Sequence, residues 1–150
     1  MRVVLQRVRK AQVIIEEGES NKIGQGILVL LGIEMADEMF DVDWMVKKVL
    51  NLRIFGDNNG VMNKSLLDVN GELMIVSQFT LMASTKKGNR PSYIKAASHE
   101  HAIPLYESFI KKTGSLLESK IATGTFGAMM RVVSENDGPV TILIDSKNKE

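Results

Sequence analysis

Residues 76–80 (VSQFT) end an apolar run with two hydroxyls and an amide, carried by Ser77, Gln78 and Thr80. These groups can hold a polar ligand, but a hydroxyl nucleophile needs a base to take its proton, and none is adjacent in sequence. Ser and Thr at a strand end also bond readily to nearby backbone. Taken alone, the segment favours this structural role over a catalytic one.

A second polar segment, residues 84–93 (STKKGNRPSY), has the composition of a loop. It gathers Lys86, Lys87 and Arg90 around a glycine, with Tyr93 close by. Flexible cations and an aromatic ring suit a phosphate backbone and a stacked base. An ordinary exposed loop has the same composition, and it is the favoured interpretation of this segment alone.

Metal and thiol chemistry find little support in the residue types. His99 and His101 have the spacing of a metal pair on a strand, but they fall at a predicted helix start, where such side chains diverge. No third ligand stands nearby, so we expect both histidines at the solvated surface and no metal site. The chain has no cysteine, which excludes thiolate nucleophiles and disulfides.

The segment 136–145 (NDGPVTILID) begins as a turn and continues as an alternating strand. Pro139 cannot donate a ladder hydrogen bond, so it suits a strand start. The sequence pattern alone leaves open whether Gly138 and Pro139 only begin the strand or have a function.

Two glycines flank Phe126 in the segment 123–130 (TGTFGAMM). The segment lacks the lysine and the following helix of a phosphate-binding loop. A tight backbone turn beside a pocket is the better interpretation.

These candidates must be positioned by one domain, since 150 residues suffice for one and not comfortably for two. Apolar content of 44% and charged content of 25% are ordinary for a soluble globular chain. The net charge of +1 means that any basic site must be local. The N-terminal residues lack a signal-peptide pattern, and no segment approaches the ~20 apolar residues of a membrane span. We therefore expect a cytoplasmic protein with no membrane association.

Hydrophobic periodicity predicts about seven strands and two main helices in a mixed α/β fold. The helices do not alternate regularly with the strands, which favours mixed sheets with helices on one side. Asp37 is the expected N-cap of the first helix, and Pro104 marks either the start of the second helix or a kink. Strands are predicted in 2–16, 26–33 and 72–78, and three more strands are predicted after residue 120. The predicted helices cover 38–52 and 99–114. A polar turn is expected at 16–24 and a frayed tail at 146–150.

Seven short segments occur in an order and spacing that strongly resemble the D-aminoacyl-tRNA deacylase family. The resemblance covers essentially the whole chain, and the pairing of SQFT with a later NDGPVT is its most specific part. The segments are QRV (6–8), LNLRIF (50–55), SQFTL (77–81), GNRPSY (88–93), LYESF (105–109), TGTFGA (123–128) and NDGPVT (136–141).

The resemblance implies an enzyme that hydrolyses the ester joining a D-amino acid to the 3′-terminal adenosine of a tRNA, which is chiral proofreading in translation, and it implies no cofactor. It also implies a homodimer with a three-layer β/β/α fold and an active site at the subunit interface.

The same resemblance implies a catalytic set of Ser77, Gln78, Phe79 and Thr80. Thr80 is the natural candidate nucleophile, but no base stands ready to activate it. Alternatively, the N–H groups of Phe79 and Thr80 hold the oxyanion, and the ribose 2′-hydroxyl of the tRNA orients water. Both routes stay open at this point.

The resemblance further implies that Gly138 and Pro139 of the partner subunit select the chirality of the substrate. The bond between these two residues would be cis, and their backbone would reach into the cleft as a gate. Backbone atoms can reject L-amino acids by clash whatever the side chain is. Glycine has no side chain to clash, so we expect hydrolysis of glycyl-tRNA as well. Arg7 matches the QRV segment and either holds a carbonyl near this turn or forms a strand-edge ion pair.

The resemblance also implies pocket walls and an RNA contact. Phe126, Ala128 and Met130 match residues that wall the adenosine or amino-acid pocket, whereas Met129 stands where a polar residue is commoner. For tRNA binding, the expected phosphate contacts are the three loop cations at 86, 87 and 90.

Two other classes of protein fit parts of the pattern. A non-catalytic tRNA-binding dimer would use the same basic loop, and a structural dimer would use the Gly-Pro loop only to hold subunits together. Hydrolysis of a D-aminoacyl ester separates the enzyme from both.

Overall fold

Residues 1–16 and 18–149 are described by a computed structural model, and within them lie eight strands, two α-helices and one 3₁₀ turn. The strands are β1 (Arg2–Ile15), β2 (Ser20–Ile23), β3 (Gly26–Gly32), β4 (Phe55–Gly56), β5 (Met62–Lys64), β6 (Glu72–Ser77), β7 (Ile121–Thr123) and β8 (Met130–Asp145). The helices are α1 (Met39–Asn51) and α2 (His99–Gly114), and the 3₁₀ turn is Phe79–Met82.

The long strand β1 organises the main sheet. It pairs antiparallel with β8 along one edge and with β3 and β2 along the other. The strands β3, β6 and β7 then run parallel to one another. The sheet curls until β2 returns to β7, where Asn21 Nδ2 donates a 2.7 Å hydrogen bond to the Thr123 carbonyl. The mixed α/β class with two helices is confirmed, and the six-stranded sheet is nearly barrel-like.

Both faces of the sheet are buried, which explains the continuous apolar runs of β3 and β6. One face packs on the helices, through the buried apolar residues of α1 and through Phe109 of α2. The other face encloses a smaller apolar cluster that includes Val13, Leu28 and Met74. Burial of these side chains supplies the main stabilisation of the fold.

Asp37 is not the N-cap of α1, as the sequence had suggested. The N-cap is Glu38, which forms a capping box with Asp41. Asp37 is fully buried and accepts hydrogen bonds from the amino group of Met1 and, at 2.8 Å, from the Glu34 amide. The carboxylate is therefore part of a buried polar cluster, not a helix cap.

Residues 146 and 147 are likewise not a frayed tail. Ser146 is only 4% exposed and donates a 2.6 Å hydrogen bond to Asp41, while Lys147 donates one of 2.8 Å to the same carboxylate. These polar contacts anchor the C-terminal segment to the start of α1. Residue 150, which was included in the predicted tail, lies outside the described residues.

Two local predictions also need correction, and one of the two alternatives for Pro104, a helix start, is wrong. The predicted polar turn at 16–24 contains β2, because its residues pair with β1. The C-terminal third forms two strands instead of three, because β8 continues through the Gly-Pro turn with irregular register. The helix α2 spans the predicted 99–114 and begins well before Pro104, which lies inside it on the exposed side.

Candidate active-site cleft and the Gly138–Pro139 turn

A cleft of about 400 Å³ opens where β6 ends. Among the residues that line it are six that were predicted for the site from the sequence: Ser77, Gln78, Phe79, Phe126, Ala128 and Met130. The cleft thus brings the end of one strand together with the 123–130 segment.

The strand end is held firmly by β3. The Gln78 amide donates a 2.8 Å hydrogen bond to the Leu31 carbonyl, which extends the ladder past the end of β6. A Cβ at Gly32 would lie only 3.0 Å from the Gln78 carbonyl oxygen and from Leu81 Cβ. Glycine at 32 therefore permits the close approach that sets the position of the 3₁₀ turn.

Thr80 is half-buried at this turn, and its hydroxyl accepts a hydrogen bond from the Gln78 side-chain amide. Gln78 can only donate at that nitrogen, so this contact does not activate a nucleophile. The backbone N–H groups of Phe79 and Thr80 have no acceptor among the described residues. Two free donors thus lie beside the cleft.

An aromatic cluster forms the opposite wall. The Phe126 ring meets Tyr106 edge-on at 5.4 Å and His99 at 5.5 Å between ring centroids. The Tyr106 hydroxyl donates a 3.2 Å hydrogen bond to the Ile75 carbonyl in β6. Burial raises the pKa of Tyr106 to about 12, so this donor keeps its proton at neutral pH.

His99 lines this cleft, although the sequence pattern had assigned it no role. Its ring is exposed, as expected, but it also contacts the Phe126 wall. No motif signalled this placement, because the contact depends on how the start of α2 folds against the 123–130 segment. His101 instead lies within 2.9 Å of the Asp37 carbonyl oxygen.

Gly138 and Pro139 line a different cleft, of about 500 Å³, together with Arg7. The bond between them is cis, and Gly138 has φ +125°, which favours glycine. Within one chain, this turn and the cleft at the end of β6 are separate.

Arg7 braces the turn and is only 15% exposed. Its guanidinium donates to the Asp137 carbonyl at 3.2 Å and also to the Ile54 carbonyl. It forms an ion pair with the Asp137 carboxylate at 3.2 Å. Both contacts considered for Arg7, with a carbonyl near the turn and with a carboxylate, are thus present together.

The basic loop lies beside the first cleft. Its cations, Lys86, Lys87 and Arg90, are all exposed. The base of the loop is closed by a bridge between Ser84 and Ser92. Tyr93 follows and packs edge-on against Phe79, with ring centroids 5.1 Å apart, so the loop is coupled to the cleft wall.

The departure at Met129 also falls at this cleft. The side chain is 71% exposed and lines the cleft between Ala128 and Met130. It therefore adds apolar surface where a polar residue was expected.

The described residues contain no group of three or more side chains of the types that ligate metals. Within the same residues, no helix is long and apolar enough to cross a membrane.

Comparison with known proteins now identifies the group to which this fold and cleft belong. The family model for D-Tyr-tRNA(Tyr) deacylase matches residues 4–145. D-aminoacyl-tRNA deacylases from Cytophaga hutchinsonii and Azobacteroides pseudotrichonymphae are 61% and 60% identical, with 100% of each chain covered. These matches define an ester hydrolase. The chain belongs to the D-Tyr-tRNA(Tyr) deacylase family.

Solved structures agree with this fold. One described as c-Myc DNA Unwinding Element Binding Protein has 42% identity and a TM-score of 0.91, covering 97% of this chain and 98% of its own. A probable eukaryotic D-amino acid tRNA deacylase has a TM-score of 0.82 at 18% identity, covering 95% and 97%, and supports the fold alone.

Proposed function

We propose that this protein hydrolyses the ester between a D-amino acid and the 3′-terminal adenosine of a tRNA, releasing both. The observation that carries the proposal is the cleft at the end of β6, which joins SQFT to the Phe126 wall in a chain of this family. Because aminoacylated tRNA is its substrate, we place the activity in the cytoplasm.

Catalysis proceeds without a side-chain nucleophile. A water oxygen attacks the ester carbonyl carbon, and the N–H groups of Phe79 and Thr80 stabilise the oxyanion that forms. The bond between the acyl carbon and the ribose 3′-oxygen then breaks, and the leaving 3′-oxygen takes the proton that the attacking water loses. The ribose 2′-hydroxyl orients the attacking water. This route is supported by the contact at Thr80. Its hydroxyl accepts a hydrogen bond from the Gln78 side-chain amide, and an amide N–H cannot take the proton of the hydroxyl.

The active site is completed by a second copy of the chain. The Gly138–Pro139 turn is exposed and lies apart from the cleft at the end of β6, so it serves the cleft of a partner. Among the described strands, β8 pairs with β1 alone, and it exposes Val133 and Leu143, at 58% and 62%. An unpaired strand edge with exposed apolar side chains suits association with another copy.

In that arrangement the turn selects the hand of the substrate. Its backbone clashes with the side chain of an L-amino acid and leaves room for that of a D-amino acid. Glycine has no side chain that could clash with this backbone, so glycyl-tRNA is also a substrate. Arg7 supports this role because its guanidinium hydrogen-bonds the Asp137 carbonyl just before the turn and also the Ile54 carbonyl.

The loop cations Lys86, Lys87 and Arg90 contact the tRNA backbone beside the cleft. Their exposure and the Tyr93–Phe79 contact at the loop base support this placement. Three neutralised phosphates predict a slope of about −2 to −3 for log affinity against log salt.

The test is incubation with matched D-tyrosyl-, L-tyrosyl- and glycyl-tRNA. We expect loss of the D ester and of the glycyl ester, with the L ester intact. If all three esters survive while the tRNA still binds, the protein is a non-catalytic RNA-binding dimer. Survival of glycyl-tRNA alongside the L ester would refute the gate while leaving D-ester hydrolysis standing.

A further inference from the structure

A cleft of about 470 Å³ lies at the C-terminal half of α1, away from the predicted site residues. We call it the Trp44 cleft, after the one aromatic ring that lines it. Its lining residues are Trp44, Lys47, Lys48, Asn51, Leu52 and Arg53. The volume falls within the range of small-molecule sites.

The charge of this cleft is of one sign. Three of its lining residues are cations, and the described lining contains no carboxylate. Lys47, Lys48 and Arg53 form no ion pair within residues 1–16 and 18–149, although Arg53 lowers the pKa of Asp68 through its charge. By contrast, nearby Lys112 is paired with Asp43. The cleft therefore carries positive charge that the protein leaves largely uncompensated.

Helix electrostatics account for only part of this pattern. Lys48 lies in the last turn of α1, where the helix dipole favours a cation. Arg53 lies beyond the helix, however, and the dipole does not explain an aromatic ring among the cations. A second cause is needed for the combination.

The ring of Trp44 is half-buried and already has cations over it. Lys48 Nζ lies 5.5 Å from the ring centroid, and Lys149 Nζ lies 4.8 Å from it. Lys149 also lies over Phe40, at 5.1 Å. Cations grouped around an aromatic face are the combination that proteins use to hold a nucleic-acid backbone and a stacked base.

The Trp44 cleft is linked to the Gly138–Pro139 turn through Ile54 and Arg7. Arg53 lines the cleft, and the next residue, Ile54, accepts a hydrogen bond from Arg7. Arg7 also holds the Asp137 carbonyl immediately before Gly138. Since adjacent Cα atoms are about 3.8 Å apart, one arginine side chain links the edge of the cleft to the turn.

We propose that the Trp44 cleft is a second RNA-binding site, which holds the phosphate backbone of the tRNA whose ester lies in the partner's active site. The inference rests on the proposed function, because the turn that enters the partner's cleft brings its own Trp44 cleft to that side. Each tRNA is then held by the basic loop of one protomer and the Trp44 cleft of the other.

The test compares two variants that lose the same charge. Lys47→Gln/Lys48→Gln removes two cations from the cleft. Lys22→Gln/Lys120→Gln removes two exposed lysines at β2 and just before β7. Binding of a deacylated tRNA(Tyr) transcript is measured over a range of salt. For the cleft variant we expect Kd to rise roughly tenfold and the log–log salt slope to flatten by about 1 to 2. The control should stay within about twofold of the unmodified protein.

Trp44→Leu provides a second readout that keeps the charge. It should weaken tRNA binding by several-fold, because the ring is lost but the lysines remain. Circular dichroism and the thermal midpoint show whether each variant is folded. For hydrolysis of D-tyrosyl-tRNA, the cleft variant should raise KM and leave kcat nearly unchanged.

The proposal is overturned if cleft and control variants bind the tRNA equally well. Failure of the unmodified protein to hydrolyse D-tyrosyl-tRNA refutes the proposed function instead, and the binding comparison still tests the cleft.

Discussion

At Thr80 the hydroxyl accepts an N–H from Gln78, and among the described residues no hydrogen bond links it to a base. This contact favours the proposed route, in which water attacks the ester, over the route in which Thr80 is the nucleophile. A hydroxyl without a base is a poor nucleophile, whereas free backbone amides beside it suit an oxyanion.

Thr80→Ala should therefore retain turnover of D-tyrosyl-tRNA within about tenfold, because the backbone amide at 80 survives the substitution. A tRNA ending in 2′-deoxyadenosine should instead lose at least about 100-fold in rate, because the water-orienting hydroxyl is gone. Single-turnover kinetics measure both. If the folded alanine variant loses several orders of magnitude in the rate of D-tyrosyl-tRNA hydrolysis, Thr80 is the nucleophile.

Arg7 and Arg9 provide a matched pair at the Gly138–Pro139 turn, which we propose to be the gate, because each contacts Asp137 through Nε at 3.2 Å. Arg7 also holds two backbone carbonyls and is 15% exposed, whereas Arg9 is 70% exposed. Only replacement of Arg7 should loosen the turn, because a lysine amine cannot form the several hydrogen bonds that the Arg7 guanidinium donates.

Arg7→Lys should lower the preference for D-tyrosyl- over L-tyrosyl-tRNA by roughly tenfold, the cost of about one lost charged hydrogen bond. Arg9→Lys should leave this preference unchanged. The measurement is the ratio of kcat/KM for the two esters. Equal preferences in the two variants would mean that Arg7 does not position the gate.

At the scale of elements, the start of α1 is tied to the end of the chain through Asp41. The Asp41 carboxylate accepts the Glu38 amide at 2.9 Å in the capping box, as well as the hydrogen bonds from Ser146 and Lys147. Burial alone would raise the pKa of this carboxyl, but these hydrogen bonds outweigh it and lower the pKa to about 2.

This lowered pKa predicts acid sensitivity. The carboxyl binds a proton more weakly in the folded state than in the unfolded state, so its contribution is complete above its usual pKa near 3.8. It is lost as the pH falls from about 4 to about 2, and amounts to about 2 kcal/mol. Asp41→Asn should lower the free energy of unfolding at pH 7 and flatten its decline in that range.

Urea unfolding between pH 2 and pH 7 provides the measurement for the Asp41 prediction. Asp43→Asn is the control, because this neighbouring carboxylate is 51% exposed and contacts Lys112 at the surface. If both variants follow the same pH dependence, the buried cluster is not the source of the acid sensitivity.

For the whole molecule, the separation of the turn from the cleft is the reason for proposing that two copies of the chain form one site. Complementation tests this directly. Ala128→Trp fills the cleft, and Pro139→Trp enlarges the exposed turn, so each variant alone should be inactive. Mixed dimers should contain one intact site, which combines the open cleft of one chain with the normal turn of the other. Random mixing should restore about a quarter of the activity.

Sedimentation shows whether each variant is a folded dimer. The controls are unmixed variants carried through the same procedure. If the mixture stays inactive although mixed dimers have formed, the turn acts on its own cleft.

Much of the local structure was accessible from the sequence. The apolar runs of β3 and β6 and the stripe of α1 depend on periodicity over a few residues, so they were predicted closely. The bounds of α2 were also correct, because its apolar residues recur at helical spacing. The order of the seven short segments led to the family, which the comparisons confirm.

The positions of several side chains were decided only by the tertiary structure. Asp37 and Ser146 are polar residues beside predicted elements, and nothing local shows that they meet the N-terminal amino group. His99 similarly contacts Phe126 from 27 positions away along the chain. The reason is physical: periodicity reports which face of an element is buried, whereas contacts between distant residues depend on the path of the whole chain.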